Sequence, residues 1–376
     1  MTARPLTAAI AAALLGCAPA APSGTPWRFA LPAHMPEPFV PPDNPMTVEK
    51  VELGRHLFYD PRLSATGTIS CSSCHEQRLA FTDGRSVSVG ATGDRTPRNS
   101  MSLWGAAYLP TLTWFNPVLD SLEKQALVPL FADRPIEHGL SGRESVTLQA
   151  VRADTRYQTL FRAAFPSHQD PVSIGNIVFA LASFQRALVS ANAPYDRYLR
   201  GDDAALTPSA RRGEALFFSE RTECYHCHAG PTFTTAFRSA RTQTAPRGFE
   251  NNGLYSLDAT GRYPAESPGL SEFTANPQDH GRMRVPTLRN IALTAPYMHD
   301  GSISTLEAVI DHYAAGGTNH ADGPNRGDGR SNPNKSTLVR PFAITADERA
   351  DLVTFLRSLT DEQFVSDPAW SNPWRR

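Results

Sequence analysis

The chain has 376 residues, 40% of them apolar, and a formal net charge of −1. That is long enough for two domains with cores of their own and too apolar for a disordered protein. A nearly neutral balance argues against nucleic acid or another polyanion as partner.

The chain opens with a short positive start, Met1 to Arg4, an apolar run from Leu6 to Leu15, and then Cys17. The run is too short to span a membrane, so residues 1–17 read as a secretory signal. Small residues before Cys17 fit a lipoprotein signal that leaves Cys17 lipidated as an anchor; ordinary cleavage near Ala18-Pro19-Ala20 is the alternative. Both export the chain, which points to the periplasm. Residues 18–46 are Pro-rich and form an N-terminal arm, either extended over the surface or packed as an ordered coat.

A helical pattern starts at Thr47 and carries Gly54-Arg55-His56-Leu57-Phe58. The same pattern returns as Gly213-Glu214-Ala215-Leu216-Phe217, behind a helix start with Thr207 as N-cap and Pro208 at the first helical position. Between the copies, residues 82–117 are loop-rich. Helices are expected over Leu119–Leu130 and Val172–Ser190, and residues 191–206 connect the halves. Residues 316–334 read as an exposed loop. A last helix begins at a capping box, Thr345 with Glu348, and runs to Leu359. The tail, 363–376, holds Trp370 and Trp374, placed either against a partner or against the chain itself. No strand pattern of any length appears, so the fold class is mostly α.

Each copy of the repeat is followed by a second shared motif, Cys71-Ser-Ser-Cys74-His75 and Cys224-Tyr-His-Cys227-His228. Two thiols three positions apart, with a histidine next, is the spacing that attaches a c-type haem. The thiols add across the two porphyrin vinyl groups, and the histidine offers its nitrogen to the iron. A structural zinc site or a redox CxxC is the bland alternative for either motif alone. Four of the five cysteines are consumed this way. The chain therefore reads as two cytochrome c-like domains, 47–200 and 201–362, each with one covalent haem; the resemblance described next implies that they pack around a shared interface.

The stretches LFYDPRLSATGTISCSSCH, SLEKQALVPL, YDRYLRGD, RRGEALFF, CYHCH and VPTLRNIALTAPYMHDGSISTLEAV resemble the bacterial di-haem cytochrome c peroxidase and MauG superfamily. The resemblance implies a calcium ion between the haems, one iron open to hydrogen peroxide, and one six-coordinate iron. Its subclasses divide at the sixth ligand, fourteen residues after the histidine of the PYFHDG-like motif. Here that motif is Pro296 to Gly301, and Tyr313 stands fourteen after His299. Peroxidases have methionine there, and MauG-type enzymes have tyrosine. A hard, anionic tyrosinate favours high-valent iron where a soft methionine sulfur favours Fe(II). His312 and Met298 are the other candidates for that place.

Several further residues follow from the same resemblance. The loop from Ser86 to Arg98 lacks the histidine that blocks the first iron in many peroxidases, which leaves that iron five-coordinate unless His56 or His138 reaches it. Gln125 and Pro129 match the distal pattern. The expected glutamate falls on Pro135, so Glu137 takes the role with a two-residue insertion. The bridging tryptophan falls on Phe115, and a one-residue shift gives it to Trp114. Asn99, with the carbonyls of Thr294 and Pro296, falls on the calcium positions.

The MauG-like branch implies an enzyme that uses hydrogen peroxide to reach a two-Fe(IV) state. It then oxidises an aromatic residue, tryptophan foremost, of a periplasmic partner protein by long-range electron transfer. Overall similarity runs towards the methanobactin-associated MbnH type, which converts a tryptophan of its partner MbnP to kynurenine. The alternatives are a peroxidase drawing electrons from a small cytochrome, and a non-enzymatic di-haem carrier.

Overall fold

In the computed structural model, which describes residues 24–242, 245–257 and 260–374, each domain is built on one close helix pair. In the first, α1 (Val48–Phe58) lies against α5 (Ile174–Ala187). In the second, α7 (Pro208–Phe217) lies against α11 (Ala346–Arg357). The shared glycine of the sequence repeat explains both. A Cβ on Gly54 would stand 2.0 Å from the carbonyl oxygen of Ala180, and one on Gly213 would stand 2.0 Å from that of Asp351. Any side chain there forces the helices apart.

Around the first pair pack α2 (Leu122–Phe131), α3 (Glu144–Ala153) and α4 (Thr155–Ala164). The second pair carries α6 (Pro194–Leu199), α8 (Cys224–Cys227) and α10 (Leu306–Ala314), with α9 (Ser271–Thr274) in the long loop between. The capping box at Thr345 and Glu348 forms as expected. The helix expected over Val172–Ser190 is shorter and is buried on nearly every face, because α1, α2 and the tail all cover it. Strand is confined, among the described residues, to two antiparallel ladders of two residues each, Phe249–Glu250 with Met283–Arg284 and Asn319–His320 with Gly327–Asp328.

Residues 24–46 form a coat on the first domain, with Met35 and Met46 buried and Trp27 and Phe29 against its core. Within the connection 191–206, α6 packs with the second domain. Tyr195 and Tyr198 pack in the second core, and the buried Asp196 carboxylate accepts two 2.7 Å bonds from Arg289 of that domain. The loop 316–334 is anchored, not wholly exposed: buried Asn332 donates to the carbonyls of Tyr255 and Gly261.

The tail crosses back to the first domain through α12 (Glu362–Ser366). Trp374 stacks edge-on against His56 and donates to its carbonyl at 3.0 Å, and Trp370 lies against Trp27 and Phe184. Both tryptophans therefore have packing partners within the chain. The signal call on 1–17, with Cys17, lies outside the described residues. No helix among those described is long and apolar enough to cross a membrane.

Candidate active site

Both CxxCH motifs hold their histidine with the same backbone device. The His75 Nδ1–H donates to the carbonyl of Phe81 at 2.7 Å, and the His228 Nδ1–H donates to that of Phe233 at 3.0 Å. Phe81 and Phe233 sit at φ 63° and 52°, the left-handed region that a bulky residue enters at a cost of about 1–2 kcal/mol. Burial of both rings holds them there. The bond fixes each tautomer and leaves Nε2 as the ligand nitrogen. Burial also drives both imidazoles to the neutral form, pushing His228 down to about 4.

The first chamber is a cavity of about 360 Å³ lined by Cys71, Cys74, His75, Trp114, Gln125 and Glu137, among others. Pro129, inside α2, has no N–H to give the carbonyl of Gln125. Its own carbonyl accepts from His138 N at 2.9 Å, which lays the 136–138 segment beside the helix. On the other side Gly90 lets the Ile136 carbonyl approach to where a Cβ would be, 1.9 Å away, and Ala91 donates to the Glu137 carbonyl at 2.7 Å. The 136–138 segment is thus clamped, and Glu137 lines the cavity with Gln125 and Pro129. Burial raises its carboxyl above the ordinary value. His138 also lines this space, but Nδ1 is bound to the Leu63 carbonyl at 2.6 Å and Nε2 lies 3.9 Å from Cys71 Sγ. His56 is away from the cavity, under Trp374.

In the second chamber Tyr313 projects from α10 into the space of Cys224 and Cys227, where burial pushes its phenol up to about 12. His312 has both nitrogens engaged, with Thr318 Oγ1 at 2.7 Å and the Asn252 carbonyl at 3.1 Å. Met298 Sδ accepts from Asn252 Nδ2 at 3.3 Å, and the same carboxamide contacts Tyr313. Tyr313 stands near enough to both cysteines for their charges to act on its phenol.

Trp114 lines the first cavity. Its indole N–H donates to the Asn99 carbonyl at 2.9 Å, and its ring meets His299 edge-on at 6.4 Å. Phe115, which lines the same cavity, is buried against Phe273 and under the Arg98 guanidinium. Asn99 is fixed on all sides but one: its N–H donates to the His299 carbonyl at 2.8 Å and its Nδ2 to the Arg85 carbonyl at 2.7 Å. That leaves Oδ1 as an oxygen ligand atom near the 294–301 turn.

The residues fit two haems on grounds of their own. Arg284 lies fully buried on the first cavity, held by the carbonyls of Thr113 and Val285 and by Met101 Sδ, with no carboxylate among these partners. Burial pushes this guanidinium down to about 10. His299 Nε2 is likewise buried without a partner. A buried cation and an orphaned imidazole beside the cavity are what a porphyrin carboxylate satisfies. Sequence reasoning missed Arg284, His299, Asn252 and Gln185, which also lines the first cavity.

The family profile described as di-haem cytochrome c peroxidase matches residues 48–204. The chain is 35% identical to the methylamine utilization protein MauG of Methylorubrum extorquens over 335 residues, 89% of this chain and 84% of that one. It belongs to the di-haem cytochrome c peroxidase and MauG superfamily. This di-haem protein is therefore a haem oxidoreductase with two haem cofactors. It is also 32% identical to the cytochrome c peroxidase Ccp of Escherichia coli, over 74% of this chain and 56% of that one. Among solved structures, a MauG-like protein associated with microbial copper homeostasis superposes with a TM-score of 0.91 at 50% identity. That match covers 93% of this chain and all (100%) of the other. The diheme peroxidase BthA of Burkholderia thailandensis, at 24% identity and a TM-score of 0.64, shares the fold.

Proposed function

We propose that this di-haem enzyme uses hydrogen peroxide to oxidise an aromatic residue, tryptophan foremost, of a partner protein at long range. The haems, once attached, supply peroxide chemistry at the first iron and storage of an oxidising equivalent at the second. The observation that carries the reading is Tyr313, half-buried near Cys224 and Cys227, while His312 has both ring nitrogens engaged. A tyrosinate oxygen suits an oxidised centre better than a thioether does.

The chain's own residues divide the remaining work. Glu137 takes the proton of the bound peroxide and returns it to the departing oxygen, with Gln125 beside it and Pro129 shaping the helix below. Trp114 bridges the two chambers as an oxidisable aromatic. Asn99 Oδ1, with the carbonyls of Thr294 and Pro296, holds calcium, an ion that takes oxygen ligands alone. Through the Asn99 carbonyl the same site fixes the Trp114 indole.

The similarity to a MauG-like protein associated with copper homeostasis, together with the resemblance to the MbnH type, supports an MbnP-like partner. The same reading places the protein in the periplasm, with Cys17 as a lipid anchor. The competing reading, peroxide reduction with electrons from a small cytochrome, is favoured by the relatives named cytochrome c peroxidases. One experiment separates them. The holoprotein and peroxide are mixed with periplasmic proteins encoded beside it, and mass spectrometry is used to look for oxygen added to a single tryptophan. Turnover of reduced cytochrome c with no modified protein would overturn the proposal.

A further inference from the structure

Beside Trp114 lies a group of aromatic rings that the steps above do not use. Trp114 and Tyr255 each meet the His299 imidazole edge-on, with ring centres 6.4 Å away, and Tyr263 meets it at 6.2 Å. Tyr255 and Tyr263 lie edge-on to each other at 5.6 Å. One imidazole therefore separates the Trp114 indole from two phenols, both buried.

The two phenols differ in what accepts their proton. Tyr263 donates to the carboxamide oxygen Oδ1 of Asn251 at 2.9 Å. Tyr255 donates to the Asp300 carboxylate oxygen Oδ2 at 2.6 Å, the short bond of a charge-assisted pair. A phenol that loses an electron becomes a strong acid. With an amide oxygen as acceptor it is left as a buried cation, which is costly; a carboxylate takes the proton and leaves a neutral radical. Burial and the Asp300 charge keep the resting Tyr255 phenol protonated, so its electron and proton leave together. Asp300 is half-buried, which gives the proton an outlet. The half-buried His320 ring stacks on Tyr255 at 4.7 Å, so one ring lies between this phenol and solvent.

We infer that Tyr255, with Asp300 as its proton acceptor, is a redox-active tyrosine that carries oxidising equivalents from Trp114 towards the surface at His320. The Trp114 indole, once oxidised by one electron, takes an electron from the Tyr255 phenol and is restored. The phenolic O–H bond breaks, and its proton passes to Asp300 Oδ2. The products are a neutral phenoxyl radical and a protonated Asp300. An electron from an aromatic side chain of the partner protein, with return of the proton from Asp300, restores the phenol. The inference rests on the proposed function for its oxidant, hydrogen peroxide. A like pair in the first domain, Tyr157 with Asp60 at 2.6 Å, packs against Phe161 and Trp374 and has Arg62 on its carboxylate, so it serves as a control.

The test uses the holoprotein grown on ring-deuterated tyrosine, mixed with hydrogen peroxide without partner, frozen and read by electron paramagnetic resonance. An organic radical signal narrowed by the deuteration is expected. Tyr255→Phe should remove it, while Tyr263→Phe and Tyr157→Phe keep it. Asp300→Asn should cut its yield at least about tenfold, the worth of a hydrogen bond to a charged group. In the parent the radical should form more slowly in deuterium oxide than in water, a readout that needs no Asp300 variant to fold. A signal that survives Tyr255→Phe, or no tyrosyl signal while the haem bands respond to peroxide, overturns the relay. Where the haem bands do not respond, photo-generated ruthenium(III) tris(bipyridine) supplies the oxidising equivalent instead. Loss of the signal in Tyr255→Phe then upholds the relay while the proposed function falls, and no such loss overturns the relay.

Discussion

Replacing Glu137 by glutamine should move activity and stability in opposite directions. Burial alone lifts the Glu137 carboxyl above its ordinary 4.5. The folded chain therefore holds this proton more tightly than the unfolded chain does. Stability contributed by the protonated form is full below pH 4.5 and is lost as pH rises through the raised value; above it the ionised carboxylate is a standing cost. Each tenfold gain in proton affinity withdraws about 1.4 kcal/mol at neutral pH. Glutamine keeps the shape and cannot ionise, so Glu137→Gln should be at least as stable as the parent at pH 7, with the gain vanishing in acid. Its reaction with peroxide should meanwhile slow by about 10²–10⁴-fold, the usual worth of a positioned proton carrier. Stopped-flow absorbance of the haem bands, taken from about pH 4 to pH 9 beside Tm in the same buffers, reads both. The parent should show an acid limb above pH 4.5 that the variant lacks. Peroxide reactivity within about threefold of the parent refutes the role of Glu137. A lower Tm at pH 7 refutes the burial argument.

Other perturbations probe the remaining parts. Tyr313→Phe removes one oxygen from the second chamber and should abolish the near-infrared absorption that peroxide induces; a surviving band means another ligand. Trp114→Phe leaves the Asn99 carbonyl without its 2.9 Å donor, at a cost of about 1–3 kcal/mol. In rapid-scan spectra its two haems should then respond to peroxide at separate rates instead of together. Asn99→Ala should lower the calcium content of the purified protein, read by elemental analysis. Gly54→Ala sets a Cβ 2.0 Å from the Ala180 oxygen and should cost about 1–3 kcal/mol, or about 2–4 °C of Tm per kcal/mol. Gly175→Ala, in the partner helix, meets nothing nearer than 4.0 Å and should raise Tm slightly.

What was legible in the sequence was what local covalent geometry dictates. The two CxxCH motifs, the glycine repeat and the cap at Thr345 each declare themselves within a few residues. Tyr313 was legible because one turn and one helix fix its distance from His299. The choice between Trp114 and Phe115 is not legible in the sequence, where a one-residue shift between neighbouring aromatics leaves no mark. Arg284 looks like any arginine in the sequence. Its meaning lies in burial without a carboxylate, which depends on segments far away in the chain. The same holds for α6, whose short helix is claimed by the second domain through one Asp–Arg pair.

The returning tail sets an order on biosynthesis. Trp374 meets His56 across 318 positions, and Gln77, two residues beyond the first haem histidine, donates to the carbonyl of Asp367. Contacts of such span are the last to form and the slowest. The first domain to be synthesised is consequently the last to be finished. A chain cut short near its end loses the lid of the domain that was made first, while the second domain keeps its core. Completion of the first domain thus requires the chain as far as Trp374, second haem loop included.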